Sequence, residues 1–356
     1  MKKQILLFKS YLKYILIDGL KGMALGLFST LIVGLIIKQI GMVLNLEILV
    51  FLGTMATVLT GAGIGIGVAG TFKQSPLILY SSAVTGFIGG YAKSILNQSA
   101  FVDSNVLLIG PGEPLGAFIA VLAGLAIGKR ISKKTQIDII LTPLITIIVG
   151  GSVGLLIGPY ISNFMTFLGQ IIVYATEQAP LLMGIIVSTL MGMILTLPIS
   201  SAALSIILGL NGLAAGAATV GCSCQMIGFA ITSYRENKFS GFIALGFGSS
   251  MLQISNIVKN PKIWIPPTLT SAILGPISTV VFKMTNNPSG AGMGTSGLVG
   301  QLMTWQNMIN NTSPSTLLFN IILLHFLLPA ILTLLFSELL RKINWIKLND
   351  MKLNID

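Results

Sequence analysis

The stretch GPGEP, Gly110 to Pro114, sets one carboxylate, Glu113, between two prolines and directly ahead of an apolar run. A carboxylate is a pure hydrogen-bond acceptor when ionised, and hydroxyl groups are its natural donors. The prolines stiffen the turn, while the glycines let its backbone approach a partner closely. Placing an ionisable group at membrane depth costs about 2.5–3.5 kcal/mol on insertion scales, so such a group faces a cavity or finds a partner. Two roles stand for Glu113. It can cap the helix that follows, favoured by the helix dipole, or it can accept hydrogen bonds from a polar solute, with Gly112 and Pro114 shaping the turn around it.

A second glycine-rich stretch, NNPSGAGMGTSGLVGQ, runs from Asn286 to Gln301 and carries no charge. Its Asn287, Ser289, Thr295, Ser296 and Gln301 offer neutral donors and acceptors, a lining suited to a small uncharged, hydroxylated solute. A strongly anionic solute would need arginine, yet Arg130 and Arg341 flank helices and Arg235 sits in a loop. No G-x-x-x-x-G-K-[ST] pattern is present, so the glycines do not form a phosphate loop. His325, in NIILLHFLLPAILTLL, reads either as a packing residue or as a hydrogen-bonding or protonatable partner in a transport cavity. Cys222 and Cys224 lie two residues apart on one helix and face different directions, as small packing residues do rather than disulfide partners. No catalytic group, metal site or cofactor is expected.

These residues need a scaffold, and composition names its solvent. Hydrophobic residues make up 53% of the 356 and charged ones 9%, with a mean hydropathy of +0.90. That is an all-helical integral membrane protein. The net charge of +11 does not point to nucleic acid, because the basic residues stand in short clusters beside apolar runs and read as topology anchors at the lipid surface. Ten spans are expected: 22–43, 48–72, 77–96, 115–127, 139–160, 181–197, 202–231, 241–258, 267–282 and 317–340. Residues 1–22 read as an uncleaved amphipathic helix at the cytoplasmic interface, 23–340 as a single membrane domain, and 341–356 as a short cytoplasmic tail.

With both termini cytoplasmic, FKQ at Lys73, GKRISKK at Lys129 to Lys134, KNPK at Lys259 to Lys262 and the tail all fall inside, as the positive-inside bias demands. One loop dissents: YRENK, with Arg235 and Lys238, falls outside, which makes the long seventh segment the place for a break or a re-entrant turn. The stretch 161–180 mixes polar and apolar residues and is expected along the outer interface. Asn286 to Trp305 is too glycine-rich for a stable helix and too polar to face lipid, so it reads as a re-entrant hairpin lining a cavity. Each half, 23–160 and 181–340, runs from a glycine-rich span through a glycine-proline turn to an apolar run with a basic end, the pattern of an internal two-fold repeat.

The segment LIGPGEPLGAF, the span ends LIGPYIS and ILGPIS, and NNPSGAGMGTSGLVGQ together resemble the enzyme IIC-like membrane family of the phosphotransferase system, which includes the perfringolysin O regulator-like proteins. The resemblance extends over most of the chain. Sugar-transporting members use a G-I-T-E-P turn whose glutamate binds sugar hydroxyls, and GPGEP matches its glycine, glutamate and proline spacing; that implies a solute-binding role for Glu113. The turn lies late in the transporters' membrane domain but in the first third here. The resemblance implies a homodimeric permease in the bacterial cytoplasmic membrane that moves a small polar solute, a sugar by analogy, by alternating access. It would work with separate cytoplasmic phosphotransferase components, having no phosphoryl-carrier domain of its own. The regulator-like members imply the rival reading, a membrane-embedded sensor that binds a ligand and signals to a cytoplasmic partner. A passive channel is disfavoured, since no charge ring or carbonyl filter is visible.

Overall fold

The computed structural model describes residues 18–102, 105–106, 108, 110–176 and 179–353. The expected interfacial helix over 1–22 therefore lies outside the described residues up to position 17. Among those described, the chain is helical apart from one two-residue ribbon, Phe101–Val102 paired antiparallel with Asn105–Val106. Six helices are long and apolar enough to cross a membrane: Asp18–Met42, Pro114–Ile131, Asp138–Ile161, Gly212–Thr232, Pro261–Val281 and Pro314–Lys342. A bent pair, Glu47–Val58 and Thr60–Thr71, makes a seventh if counted as one span, and Pro76–Gly90 and Pro180–Thr196 are shorter apolar helices. The chain divides into two compact units, residues 1–164 and 165–356.

The first unit is held by glycine contacts between backbones. A Cβ on Gly61 would stand 2.6 Å from the Gly86 carbonyl, and one on Gly86 2.3 Å from that of Gly61, so the Thr60–Thr71 and Pro76–Gly90 helices touch without side chains between them. Gly89 and Gly116 repeat the arrangement between Pro76–Gly90 and Pro114–Ile131, each a hypothetical 2.6 Å from the other's carbonyl. Such close approach replaces the hydrophobic drive that lipid cannot supply between helices. The span expected over 48–72 is not continuous: it bends by 52° at Leu59. Thr57 and Thr60 flank the bend and donate to the carbonyls of Thr54 and Thr57, side-chain bonds that compete with the helical ladder. Isoleucine and leucine side chains of Asp138–Ile161, such as Ile139 and Leu156, are 72% and 71% exposed, which gives that helix a face for lipid.

In the second unit Gly212–Thr232 is the central helix, buried at every residue from Ala214 to Ala230. Its small residues admit close neighbours: a Cβ on Gly221 would stand 1.9 Å from the Ser188 carbonyl in Pro180–Thr196. Gln225 ties three neighbours to it, accepting from Trp264 Nε1 at 3.0 Å and Thr196 Oγ1 at 3.3 Å and donating to Thr268 Oγ1 at 3.2 Å. The seventh span, expected over 202–231, is two helices, Ser201–Ile207 and Gly212–Thr232. Gly209 and Gly212 between them take φ of +60° and +59°, where only glycine sits without strain.

The eighth expected span, 241–258, is segmented. Tyr234–Ile243 is followed by a π turn over Ala244–Gly248, a 3-10 turn over Ser250–Gln253 and the short helix Ile254–Lys259. Both ends of this stretch meet the C-terminal tail. At its start Glu236 pairs with Arg341 at 3.0 Å and Asn237 donates to the Met351 carbonyl at 2.8 Å. At its end Asn256 donates to the Lys352 carbonyl at 3.0 Å, and Asn260 to the Trp345 carbonyl at 3.1 Å and to Asp350 at 2.7 Å. Met351, 1% exposed, plugs the tail into a cluster with Phe229, Leu245 and Ile263.

Candidate functional site

The GPGEP turn is built by its own sequence and by the end of the Pro76–Gly90 helix. Gly110 and Gly112 take φ of +73° and +69°, and a Cβ on Gly112 would stand 2.8 Å from the Gly90 carbonyl; both reasons require glycine. Pro114 opens the next helix at its first position, where its missing N–H costs nothing. Glu113 precedes it with extended backbone, φ −103° and ψ 110°, and its N–H donates to the Gly90 carbonyl at 2.7 Å. Tyr91 is 2% exposed; its hydroxyl donates toward the carbonyl of Gly110 in the turn and, at 3.1 Å, that of Val58.

The Glu113 carboxyl lies near the Leu115 N–H and in the field of Lys93, yet forms no capping hydrogen bond with the helix. Its Oε1 is sealed from water and has no hydrogen-bond partner. The structure thus places Glu113 at the cap position with its contact to the Leu115 N–H short of a full capping bond, and leaves Oε1 open.

The remaining expected site residues belong to the second unit. The Asn286 amide, fully buried, donates to Thr219 Oγ1 at 2.8 Å and to the Gly300 carbonyl at 3.0 Å. Asn287 caps the short helix after it, accepting from the Gly290 N–H at 3.0 Å. Ser289 is exposed. Thr295, buried, donates to the Gly246 carbonyl. Gly294, Gly297 and Leu298 take left-handed φ of +52°, +53° and +59° just before Val299–Met308 begins. Leu298 has no glycine's freedom, and a non-glycine residue in this region stores about 1 kcal/mol or more of strain.

Gln301 and His325 are brought together, Nε2 to Nδ1 at 3.1 Å, both buried. An amide nitrogen only donates, so Nδ1 accepts and the neutral ring carries its proton on Nε2. That Nε2, Gln301 Oε1 and Ser296 Oγ are buried with no partner. His325 lies in a π turn, Leu323–Leu327. Pro329, four residues on, has no N–H for the His325 carbonyl, and the ladder widens there. Asn287 and Thr295 therefore spend their side-chain bonds on the fold, whereas Ser296, Gln301 and His325 keep polar atoms free.

The family model described as "Phosphotransferase system, EIIC" matches residues 17–353. The chain belongs to this EIIC family. It is accordingly a membrane protein, a transport component of the phosphotransferase-system type. No curated protein and no solved structure matches it. Two residues that hold the GPGEP turn from the end of the Pro76–Gly90 helix, Gly90 and Tyr91, had no motif to announce them. The signal was the glycine pair in FIGGY, which marks a helix end open to close backbone approach.

Proposed function

We propose that this EIIC protein is a permease of the bacterial cytoplasmic membrane, moving a small hydroxylated solute of the sugar class by alternating access, with Glu113 as the carboxylate that the solute's hydroxyls donate to. The observation that carries this reading is the Glu113 Oε1 atom, buried without a donor on a turn fixed by two positive-φ glycines and two prolines. A buried acceptor left open costs about 1–3 kcal/mol, a cost that a bound hydroxyl relieves. The second-unit trio of Ser296, Gln301 and His325 supports the same chemistry, offering one ring N–H, one amide carbonyl and one hydroxyl. The buried glycine-rich segment from Asn286 supports a re-entrant, cavity-lining role for that stretch.

Uptake into proteoliposomes tests the proposal, with a panel of radiolabelled hexoses, hexitols and disaccharides as probes. Saturable uptake of at least one, lost on adding the unlabelled compound, is expected. Binding of a panel member without flux would replace the permease with a membrane sensor. Flux that never saturates would mean a channel.

A further inference from the structure

We propose that Tyr91 is a positioning residue: its hydroxyl ties the bend in the broken helix to the turn that carries Glu113, so that bend and carboxylate move together. The inference rests on the solute-binding reading of Glu113 for its functional meaning, but its geometry stands apart from that reading. Val58 is the last residue of the Glu47–Val58 half-helix, and its carbonyl is among those that a helix end leaves without an intrahelical donor. Gly110 stands 52 residues further along, at the start of the turn. Tyr91 reaches both carbonyls from the end of the Pro76–Gly90 helix.

The two contacts cannot both be full hydrogen bonds, since a phenol has a single hydrogen. The hydroxyl shares it between the bend and the turn, and any movement of one toward Tyr91 takes the donor from the other. The neighbouring backbone makes the link short. A Cβ on Gly90 would lie 3.8 Å from both the Gly61 Cα, just past the bend, and the Glu113 carbonyl. The Gly90 carbonyl already holds the Glu113 N–H. The ring is fixed by Phe87, whose centroid lies 5.2 Å away in an edge-on contact, so the hydroxyl has little freedom to find another acceptor. A broken helix whose free carbonyl shares a donor with the solute-binding turn is a means of passing helix motion to the site.

Amide hydrogen exchange on the purified full chain in nanodiscs, comparing the parent with Tyr91→Phe, is the test. The substitution removes the oxygen and keeps the ring. Exchange in the peptides covering 56–63 and 110–117 should accelerate together, by about tenfold, the size expected for loss of one buried hydrogen bond. Residues 212–232 should exchange as in the parent. A second readout is the infrared carboxyl stretching band of Glu113, assigned by its loss in Glu113→Gln, which should shift in Tyr91→Phe as the carboxyl's surroundings change. Acceleration in one peptide only, or in neither, overturns the coupling. Acceleration that spreads to 212–232 also overturns it, as general loosening, and so does an unmoved Glu113 band. If Glu113→Gln leaves uptake of the panel sugars intact, the solute-binding reading falls while these readouts still decide the role of Tyr91.

Discussion

A carboxylate oxygen without a donor is rare inside a folded protein, because most buried polar atoms are paired. Glu113 keeps one although the N-terminus of the next helix, rich in free N–H groups, is within reach. Glu113→Gln separates the two roles. It keeps the shape and one acceptor oxygen but drops the charge, so loss of a dipole interaction would cost roughly 1 kcal/mol of stability or less. A solute contact should instead weaken binding by about 1.5–3 kcal/mol, tenfold or more in affinity. We expect the second outcome, read as a raised half-saturation for uptake by a variant whose thermal unfolding is close to the parent's; unchanged uptake would reject the role. The turn itself was legible in the sequence, since GPGEP announces its conformation through glycine and proline. Tyr91 was not. A tyrosine after an apolar run reads as an interfacial anchor, and only the folded backbone shows it 2% exposed beside Val58 and Gly110.

Hydropathy located the apolar elements well and their breaks poorly, for a physical reason. A window average cannot see a break whose flanks are equally apolar, as at Leu59 or after Ile207. A break in the seventh segment was expected from the misplaced YRENK loop, and Gly209 and Gly212 mark where it falls, but glycine serves packing as readily as bending in this chain. Gly292 shows the packing use: a Cβ there would stand 2.3 Å from the Ser201 carbonyl, and the Gly292 carbonyl accepts from Ser201 Oγ at 2.7 Å. Gly292→Leu must push the glycine-rich segment off Ser201–Ile207, and overpacking of this kind costs about 1–3 kcal/mol or more. The expected result is a lower unfolding temperature together with impaired uptake. A variant as stable and active as the parent would mean that the segment does not hold this packed position. Asn287 and Thr295 obey the same logic of elements, their side chains being engaged in a cap and an inter-segment bond.

Charge and geometry meet at the scale of the molecule in the arrangement of the basic loops. The positive-inside bias assigned KNPK and the tail to the cytoplasm but left YRENK outside, because ten alternating spans force that parity. Within the second unit Arg235 pairs with Glu338 at 3.1 Å, Glu236 with Arg341 at 3.0 Å, and Lys262 sits 4.8 Å over the Trp345 ring. Loops that touch one tail cannot lie on opposite faces of a bilayer about 30 Å thick. Both ends of the stretch 234–260 thus sit beside the tail, which argues for a segment that leaves and returns to one face, while its middle packs elsewhere: Gly246 meets Thr295, and Phe247 meets Phe326 with ring centroids 6.3 Å apart. A topology without that crossing would remove the dissent, for Arg235, Lys238, Lys259, Lys262 and the tail would then share one side. Fewer crossings in the second half still leave the termini together if Ser201–Ile207 also returns to the face from which Pro180–Thr196 enters, as the placement of Gly212 against Asn286 supports. We therefore expect single cysteines at Lys238, Lys262 and Lys352, introduced into a chain with Cys222 and Cys224 replaced by alanine, to resist a membrane-impermeant maleimide in intact cells and to react once the membrane is opened. One at Lys2 should behave in the same way, since its cluster of lysines would otherwise oppose the bias. Labelling of Lys238→Cys from outside with Lys262→Cys protected would restore a crossing over 241–258, and would require the contacts of Asn237 and Asn260 with the tail to be absent in the membrane.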